Sequence, residues 1–466
     1  MREKLSKNLI AISMAVLGTI LMISHTLTYC PSQDSYFLIN LGKEIVENRY
    51  IPYENIWVSN SGLKIVCGQW LCAVLNYCFY KAFGMTGPIV MGFATGAIAV
   101  LLLYILTGLN KTSVYERIIA MTIAVVYLLS AITNGAEGLL FILIMLLLIT
   151  MERYKASENL LFVFVSFFLS VLIVNYQAIG CISTVMIPLV YFACGIIRDV
   201  KSKKINAKYN IGTLCFTVVN ATGLFINPYG KKSVLYAYYM FKTPFVKYLR
   251  LSVQALSVRG ALIILSIIGI AYAIYKKKIS LEWSILGILA VIVSLFSGNL
   301  TWIIAPVIAV YYGGSFQILQ KYRYVILAAL ICIGIVSIYR TPANIKAYRA
   351  TYTYPNVLKA LTDVEAKDSS IYTSTKTGNY LSFYGFTPYT VGYSEYYAKV
   401  FNESENLINA HYPSLIMDSS VDYRFIIFQF DYLITEKGSY LDYYLYHNHG
   451  YRLLAEDENV NLWERI

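Results

Sequence analysis

The chain has 466 residues, of which 58% are hydrophobic and only 14% are charged. Soluble domains carry about 45–50% apolar and about 25% charged residues, so the composition excludes an ordinary soluble protein and indicates a membrane protein. The net charge of +12 does not indicate a nucleic-acid partner, because the basic residues cluster in short loops between apolar runs, as they do in the cytoplasmic loops of membrane proteins.

Long apolar runs follow one another through the first 340 residues. The first run follows a short basic N-terminus, is too long for the core of a signal peptide and lacks an Ala-x-Ala cleavage site, so we interpret it as a retained span. Runs long enough to cross a bilayer lie at 8–29, 86–108, 117–134, 136–152, 159–174, 178–197, 209–226, 260–275, 282–297, 300–316 and 323–339. The sequence therefore predicts about eleven transmembrane helices.

A further apolar run at 67–83 is shorter and contains Gln69, Asn76 and Lys81. If it crossed the membrane, several basic loops would lie outside, against the tendency of Lys and Arg to remain in the cytoplasm. We therefore predict an interfacial helix at 67–83 and a cytoplasmic N-terminus. This topology of a multi-pass cell-membrane protein places four parts of the chain outside the cytoplasm: the first outer loop 30–85, the turn near 134–137, the loop 227–259 and the C-terminal part.

The composition changes near residue 341, where the apolar runs shorten to strand length and acidic residues become frequent. Strands are predicted at 370–373, 424–428, 432–435 and 461–464, and helices at 355–363 and 396–410. This alternation indicates an α/β domain at 341–466, which is a normal domain size. The predicted fold class is an α-helical polytopic membrane protein (domain 1–340) with a C-terminal extracytoplasmic α/β domain.

Two carboxylates stand where chemistry at the outer membrane surface would need them. Asp34 closely follows the first span, and a carboxylate there can deprotonate a hydroxyl group or hold a divalent metal ion such as Mg²⁺ or Mn²⁺. It could equally cap the next helix. Glu137 lies in a tight turn between two spans, where ionisable residues are often functional. An exposed turn residue is an equally good interpretation of Glu137.

The loop 227–259 carries six basic residues and no acidic one: Lys231, Lys232, Lys242, Lys247, Arg250 and Arg259. Outer loops are usually poor in Lys and Arg, so this loop indicates an anionic ligand such as a lipid phosphate. Attraction to ordinary anionic lipid, or a different topology, would also explain the pattern.

Several short motifs, taken in their order along the chain, resemble those of bacterial GT-C glycosyltransferases. In the first outer loop these are Asp34-Ser-Tyr-Phe-Leu-Ile-Asn-Leu-Gly42, Pro52-Tyr-Glu54 and Gly68-Gln-Trp70-Leu. That family tends to show an Asp followed by a Gly, then Pro-x-x-Asp and Glu-Trp-Leu. Later landmarks that look similar are Asn175-Tyr-Gln-Ala-Ile-Gly180, Asn227-Pro-Tyr-Gly230 and Gly378-Asn-Tyr-Leu381.

This resemblance implies a membrane enzyme that moves a sugar from a polyprenyl-phosphate donor to an extracytoplasmic acceptor. It implies that Asp34 activates the acceptor or helps to hold a metal ion, and that Glu137 is a second catalytic acid. The donor phosphate would be held by Lys231, Lys232, Lys247 and Arg250. The resemblance also implies that Glu54, Gln177 and Tyr229 contact the substrate.

The chain departs from the family pattern at several polar positions. Asn134-Gly135 stands in place of Arg-Pro, Gln177 in place of His, Gln254-Ala255 in place of Glu-Trp, and Gly392-Tyr-Ser394 in place of Asp-x-Arg. A catalytically inactive relative that binds a lipid or a cell-envelope polymer is therefore the alternative. A transporter is less favoured, because the spans contain few charges and show no convincing inverted repeat.

Overall fold

Helices dominate the computed structural model, which describes residues 2–27, 33–59, 64–108, 113–133, 135–247, 258–276, 279–296, 298–314, 353–389, 391, 430–447 and 450–466, with isolated positions at 328–349. The chain forms two compact units. Unit 1 comprises Met1–Tyr29 and Ile89–Thr341, and unit 2 comprises Cys30–Pro88 and Pro342–Ile466.

The helices in chain order are α1 (Arg2–Leu27), α2 (Gln33–Asn48), α3 (Trp70–Phe83), α4 (Gly87–Gly108), α5 (Val114–Thr133), α6 (Gly135–Ser157), α7 (Leu161–Tyr176), α8 (Cys181–Ser202), α9 (Ala207–Gly223), α10 (Lys231–Lys247), α11 (Val258–Tyr275), α12 (Leu281–Phe296), α13 (Ala305–Gly314), α14 (Pro355–Asp363), α15 (Thr375–Phe383) and α16 (Tyr440–Tyr446). Ten of them overlap runs that the sequence predicts as spans. The run at 323–339 lies mostly outside the described residues, so the total of eleven stays a prediction.

Two helical segments, Trp70–Gly108 and Ala178–Ser202, are long and apolar enough to cross a bilayer, and five shorter apolar helical segments accompany them among the described residues. The first of the two segments contains α3 and α4, which a single 3-10 turn at Gly84–Thr86 connects. At this turn Gly84 adopts a φ of +59°, a conformation that favours glycine. The interfacial position of α3 and the orientation of the termini stay predictions.

A buried amide ties three helices of unit 1 together. Asn220 on α9 is fully buried; its Oδ1 accepts a hydrogen bond from Ser166 Oγ on α7 at 2.7 Å, and its Nδ2 donates to the carbonyl of Thr184 on α8 at 2.9 Å. Polar contacts of this kind add to the packing of apolar helices, which have little hydrophobic force between them in lipid.

Unit 2 contains a four-stranded sheet formed by β1 (Ile371–Tyr372), β2 (Tyr432–Glu436), β3 (Tyr451–Glu456) and β4 (Val460–Arg465). The strand order is β1-β2-β4-β3, with β1 parallel to β2 and the other pairs antiparallel. The backbone N–H and the hydroxyl of Ser370 donate to Asp431 Oδ2, which joins the starts of β1 and β2 and lowers the pKa of that carboxyl.

The sequence predicts β1, β2, β4 and α14 close to their observed bounds. The structure adds β3, α15 and α16, which the pattern did not indicate. Two predicted elements, the strand at 424–428 and the helix at 396–410, lie outside the described residues.

The first loop packs into unit 2 together with the C-terminal part of the chain. The ring of Tyr36 on α2 lies perpendicular to that of Tyr380 on α15 at 5.2 Å and contacts Phe383 at 5.3 Å. Asn40 Nδ2 donates to the carbonyl of Ser382 at 3.3 Å. The aromatic core of unit 2 is therefore built from two segments more than 300 residues apart in sequence.

Gly42 allows α2 to approach α3 closely. A Cβ atom at this position would lie 2.0 Å from the carbonyl oxygen of Ala73, so no side chain fits unless the helices separate. We expect Gly42→Ala to destabilise the protein by about 1–3 kcal/mol through overpacking, measured as a lower thermal midpoint in detergent. Lys43→Ala, at an exposed neighbouring position, is the control that should leave the midpoint unchanged. Equal midpoints for both variants would contradict this close packing.

Candidate functional site

Two of the ordered motifs meet in unit 1. Asn175, at the end of α7, donates from Nδ2 to the carbonyl of Ile226 at 2.8 Å, directly before Asn227. After α7 the chain makes a 3-10 turn at Ala178–Gly180, and α10 packs against that turn. The motifs at 175–180 and 227–230 are therefore neighbours in space although about fifty residues separate them.

The motif at 227–230 is a turn that starts α10. Asn227 Oδ1 accepts hydrogen bonds from the backbone N–H of Tyr229 at 2.9 Å and from Ser233 Oγ at 2.7 Å. Gly230 adopts a φ of +52°, which favours glycine. Tyr229 itself is buried. The turn is thus followed directly by α10, whose first two residues are lysines.

Lys231 and Lys232 are exposed in the first turn of α10. In the part of the chain that the structure describes, no acidic side chain forms an ion pair with either of them. A helix N-terminus already carries partial positive charge and unpaired backbone N–H groups. Two ammonium groups placed there produce a positive surface that suits an anion.

Gln177 and Glu137 lie at the same end of unit 1 as this turn. A Cβ atom at Gly180 would lie 2.7 Å from Leu140 of α6, so the start of α6 is close to the 178–180 turn. Glu137 is half-buried in the first turn of α6, one turn before Leu140. Gln177 is half-buried as well, and its Oε1 is buried with no hydrogen-bond donor among the described residues. Such an acceptor suits a ligand hydroxyl group.

An apolar cavity of about 210 Å³ starts beside these residues. Helices α6, α8, α12 and α13 and the turn at Gly298–Ile304 line it. On α6 the lining residues are Leu140, Phe141, Ile144 and Leu148. They share one helix face and span about 12 Å along its axis.

Trp302 places a polar atom at the end of the cavity where Phe141 lies. Its ring is perpendicular to that of Phe141 at 5.8 Å, and the residue is almost completely buried. Its Nε1 finds no acceptor within the described segments. Buried indole N–H groups usually have a hydrogen-bond partner, so this donor is suited to a polar group of a ligand.

At its other end the cavity meets a group of bonded polar side chains. Trp283 of α12 lines the cavity and donates from Nε1 to Glu152 Oε1 of α6 at 3.0 Å. Tyr191 of α8 donates to the same oxygen at 2.6 Å. Behind them, Glu282 forms ion pairs with Lys155 at 3.2 Å and with Arg198.

Sequence reasoning missed this charge network. It attributed Lys155 and Arg198 to cytoplasmic loops and treated the span interiors as nearly free of charge. The available signal was Glu282, an acidic residue next to a tryptophan at the edge of an apolar run.

The remaining predicted site residues divide between unit 2 and the undescribed parts of the chain. Asp34 is half-buried in the first turn of α2, and Glu54 is exposed in the loop before α3, where its backbone pairs with Lys64. Arg250 and the side chain of Lys247 lie outside the described residues.

A metal site would need several ligands around Asp34. Within the described ranges, no three His, Cys, Asp or Glu side chains are grouped so that they could hold a metal ion. The metal-binding role of Asp34 therefore stays a prediction.

No family model and no curated protein matches the sequence. Among solved structures, the chain is similar to the oligosaccharyltransferase AglB from Archaeoglobus fulgidus in complex with an inhibitory peptide and a dolichol-phosphate, with a TM-score of 0.54 and 13% identity over 93% of this chain and 70% of that chain. The same enzyme in complex with Zn and sulfate gives a TM-score of 0.52 and 14% identity over 92% of this chain and 68% of that chain.

ArnT from Cupriavidus metallidurans, bound to undecaprenyl phosphate, is similar over 98% of both chains, with a TM-score of 0.52 and 11% identity. AglB and ArnT are both GT-C glycosyltransferases. The GT-C fold that the ordered motifs predict is therefore confirmed.

Proposed function

We propose that this chain, which has the fold of the GT-C glycosyltransferases, transfers a sugar from a polyprenyl-phosphate donor to an extracytoplasmic acceptor. The single observation that carries the proposal is the apolar cavity of unit 1. Its lining includes Leu140, one turn after Glu137, and Ile179 and Gly180, in the turn that follows Gln177 and against which α10 packs. An anionic headgroup and an apolar tail are the two features of a lipid phosphate, and this end of unit 1 offers a complementary surface to each. The solved structures of AglB and ArnT with dolichol-phosphate and undecaprenyl phosphate support the same donor class.

The cavity supports binding of the isoprenoid tail. Apolar cavities of about 150 Å³ lined by Leu, Ile and Phe stay dry and take up apolar molecules. This cavity is somewhat larger, at about 210 Å³, and has the same type of lining. Each methylene group transferred from water to such a lining contributes about 0.8 kcal/mol.

Lys231 and Lys232 would hold the phosphate group of the donor through charge-assisted hydrogen bonds. When the bond between the anomeric carbon and the phosphate oxygen breaks, that oxygen gains negative charge. Two ammonium groups at a helix N-terminus would stabilise this charge in the transition state. Lys247 and Arg250, which the sequence also predicts to bind the donor phosphate, would add to this stabilisation of negative charge.

Asp34 would act as the general base that takes the proton of the acceptor hydroxyl. The deprotonated oxygen attacks the anomeric carbon as the lipid phosphate leaves, so one C–O bond forms and one breaks. Gln177 Oε1 and Glu137 would accept hydrogen bonds from sugar hydroxyl groups, while Glu54 and Tyr229 stay predicted substrate contacts. Because the described residues offer no ready set of metal ligands, no step of this proposal passes through a metal.

The test is protein-dependent turnover in lipid vesicles. Purified protein is given a panel of radiolabelled polyprenyl-phosphate sugars and hydroxyl-bearing acceptors, including an extract of cell-envelope polymer, and both released lipid phosphate and labelled acceptor are measured. We expect both products to appear in equal amounts with at least one donor, and vesicles without protein are the control. Saturable donor binding without turnover across the panel would favour the inactive relative, which the departures at Gln177 and Gly392–Ser394 motivate. If the protein neither binds nor turns over any donor of the panel, the proposal is refuted.

A further inference from the structure

The far end of the apolar cavity has a defined structure that the proposed transfer reaction does not explain. On each of three helices the cavity lining ends at or one turn before a residue with a polar side-chain atom. On α6 Leu148 is followed one turn later by Glu152, on α8 Ile187 is followed by Tyr191, and on α12 the lining ends at Trp283. Glu152 accepts hydrogen bonds from Tyr191 and Trp283, so these three residues form one bonded group. We call them the end group.

The end group is held together by two hydrogen bonds. Tyr191 and Trp283 are buried, and both donate to the same oxygen of Glu152, at 2.6 and 3.0 Å. Glu282, the neighbour of Trp283 on α12, is 2% exposed in its side chain and pairs with Lys155 and Arg198. Charged groups behind the indole make extension of an apolar chain beyond it costly, because these charges would lose partners or solvent.

We propose that Trp283, positioned by Glu152, terminates the tail-binding cavity and thereby limits how many isoprene units of a lipid phosphate contribute to affinity. This inference rests on the proposed function, because it assigns the tail of the same donor to the cavity. By comparison with cavities of about 150 Å³ that take up benzene, the volume accommodates about two isoprene units. Further units of a longer chain lie outside the cavity.

The proposal is tested by the affinity of prenyl monophosphates with one, two, three and four isoprene units, measured by equilibrium competition on purified protein in detergent. For the wild type we expect each of the first two units to raise affinity by about 10-fold or more, and the third and fourth to add little. Trp283→Ala enlarges the cavity at its end, so the third unit should add about 10-fold as well. Trp283→Phe, which keeps a ring but loses the Nε1–H donor, should fall between the two.

Two further variants separate this role from a general loss of structure. Leu148→Phe adds bulk just before the end group, so we expect affinity to stop rising one isoprene unit earlier than in the wild type. Ile288→Ala truncates an exposed residue on α12 that does not line the cavity, and it should retain the wild-type dependence on chain length.

The outcomes distinguish this inference from the proposed function. If affinity stops rising at the same number of isoprene units in the wild type, Trp283→Ala and Leu148→Phe, the inference is overturned. The proposed donor class would then remain intact. Absence of binding by every prenyl monophosphate to the wild type would overturn both. The inference is supported if the chain length at which affinity stops rising is longer in Trp283→Ala and shorter in Leu148→Phe than in the wild type.

Discussion

Sugar transfer by the Asp34→Asn variant should be slower than by the wild type by about 100-fold or more, which is the usual contribution of a general base. The amide keeps the shape of the carboxylate but cannot take the proton of the acceptor hydroxyl. Donor binding should be unchanged, because we assign the donor phosphate to Lys231 and Lys232 and give Asp34 a role only toward the acceptor hydroxyl. The loss should therefore appear in kcat at saturating donor.

The measurement is the initial rate of label transfer in vesicles, with the donor that gives turnover in the panel described above. Glu44→Gln is the matched control, because it makes the same change of charge on the same helix, at a residue that accepts a hydrogen bond from Asn48. We expect Glu44→Gln to retain most of the wild-type rate. Equal rates for Asp34→Asn and the wild type would remove Asp34 from the mechanism.

The Glu282→Gln variant should have a strongly reduced stability. Breaking a buried ion pair by removing one partner typically costs about 3–5 kcal/mol, since the other charge stays behind without compensation. The side chain of Glu282 is 2% exposed, whereas those of Lys155 and Arg198 are 25% and 45% exposed. We expect a cost near 3 kcal/mol, because water partly solvates the two cations that remain.

This loss is measured as the shift of the thermal midpoint of the purified protein in detergent, where several degrees are expected. Glu158→Gln is the control, because Glu158 pairs with Lys208 at 3.8 Å and the lysine side chain is 66% exposed. Exposed pairs contribute about 0–1 kcal/mol, so this variant should differ little from the wild type. If both variants shift the thermal midpoint by a similarly small amount, the ion pairs of Glu282 do not contribute substantially to the stability of the protein.

The order of the short motifs was the strongest sequence signal, and packing gives a physical reason for several of them. Gly42 occurs where α2 and α3 approach too closely for a Cβ atom. Asn175 and Asn227 fix the turns at the ends of α7 and α9 through side-chain hydrogen bonds. In this chain these three residues therefore have a structural role, and the roles of Asp34 and Glu137 in catalysis stay predictions.

The sequence by itself determined the parts that depend on near neighbours in the chain. Hydropathy placed ten of the long helices, and strand-length runs placed β1, β2 and β4, because the environment of a helix or strand is recorded in its own residues. The basic segment at 227–259 was also evident, although the pattern indicated a loop where α10 forms.

Only the tertiary structure decided which distant segments meet. It showed that the first loop and the C-terminal part share one aromatic core through Tyr36 and Tyr380. It also showed that Glu152, Tyr191 and Trp283 meet at the end of an apolar cavity. Such contacts depend on how helices pack, and residues that are 39 or 131 positions apart leave no local pattern of hydropathy or charge from which their proximity could be inferred.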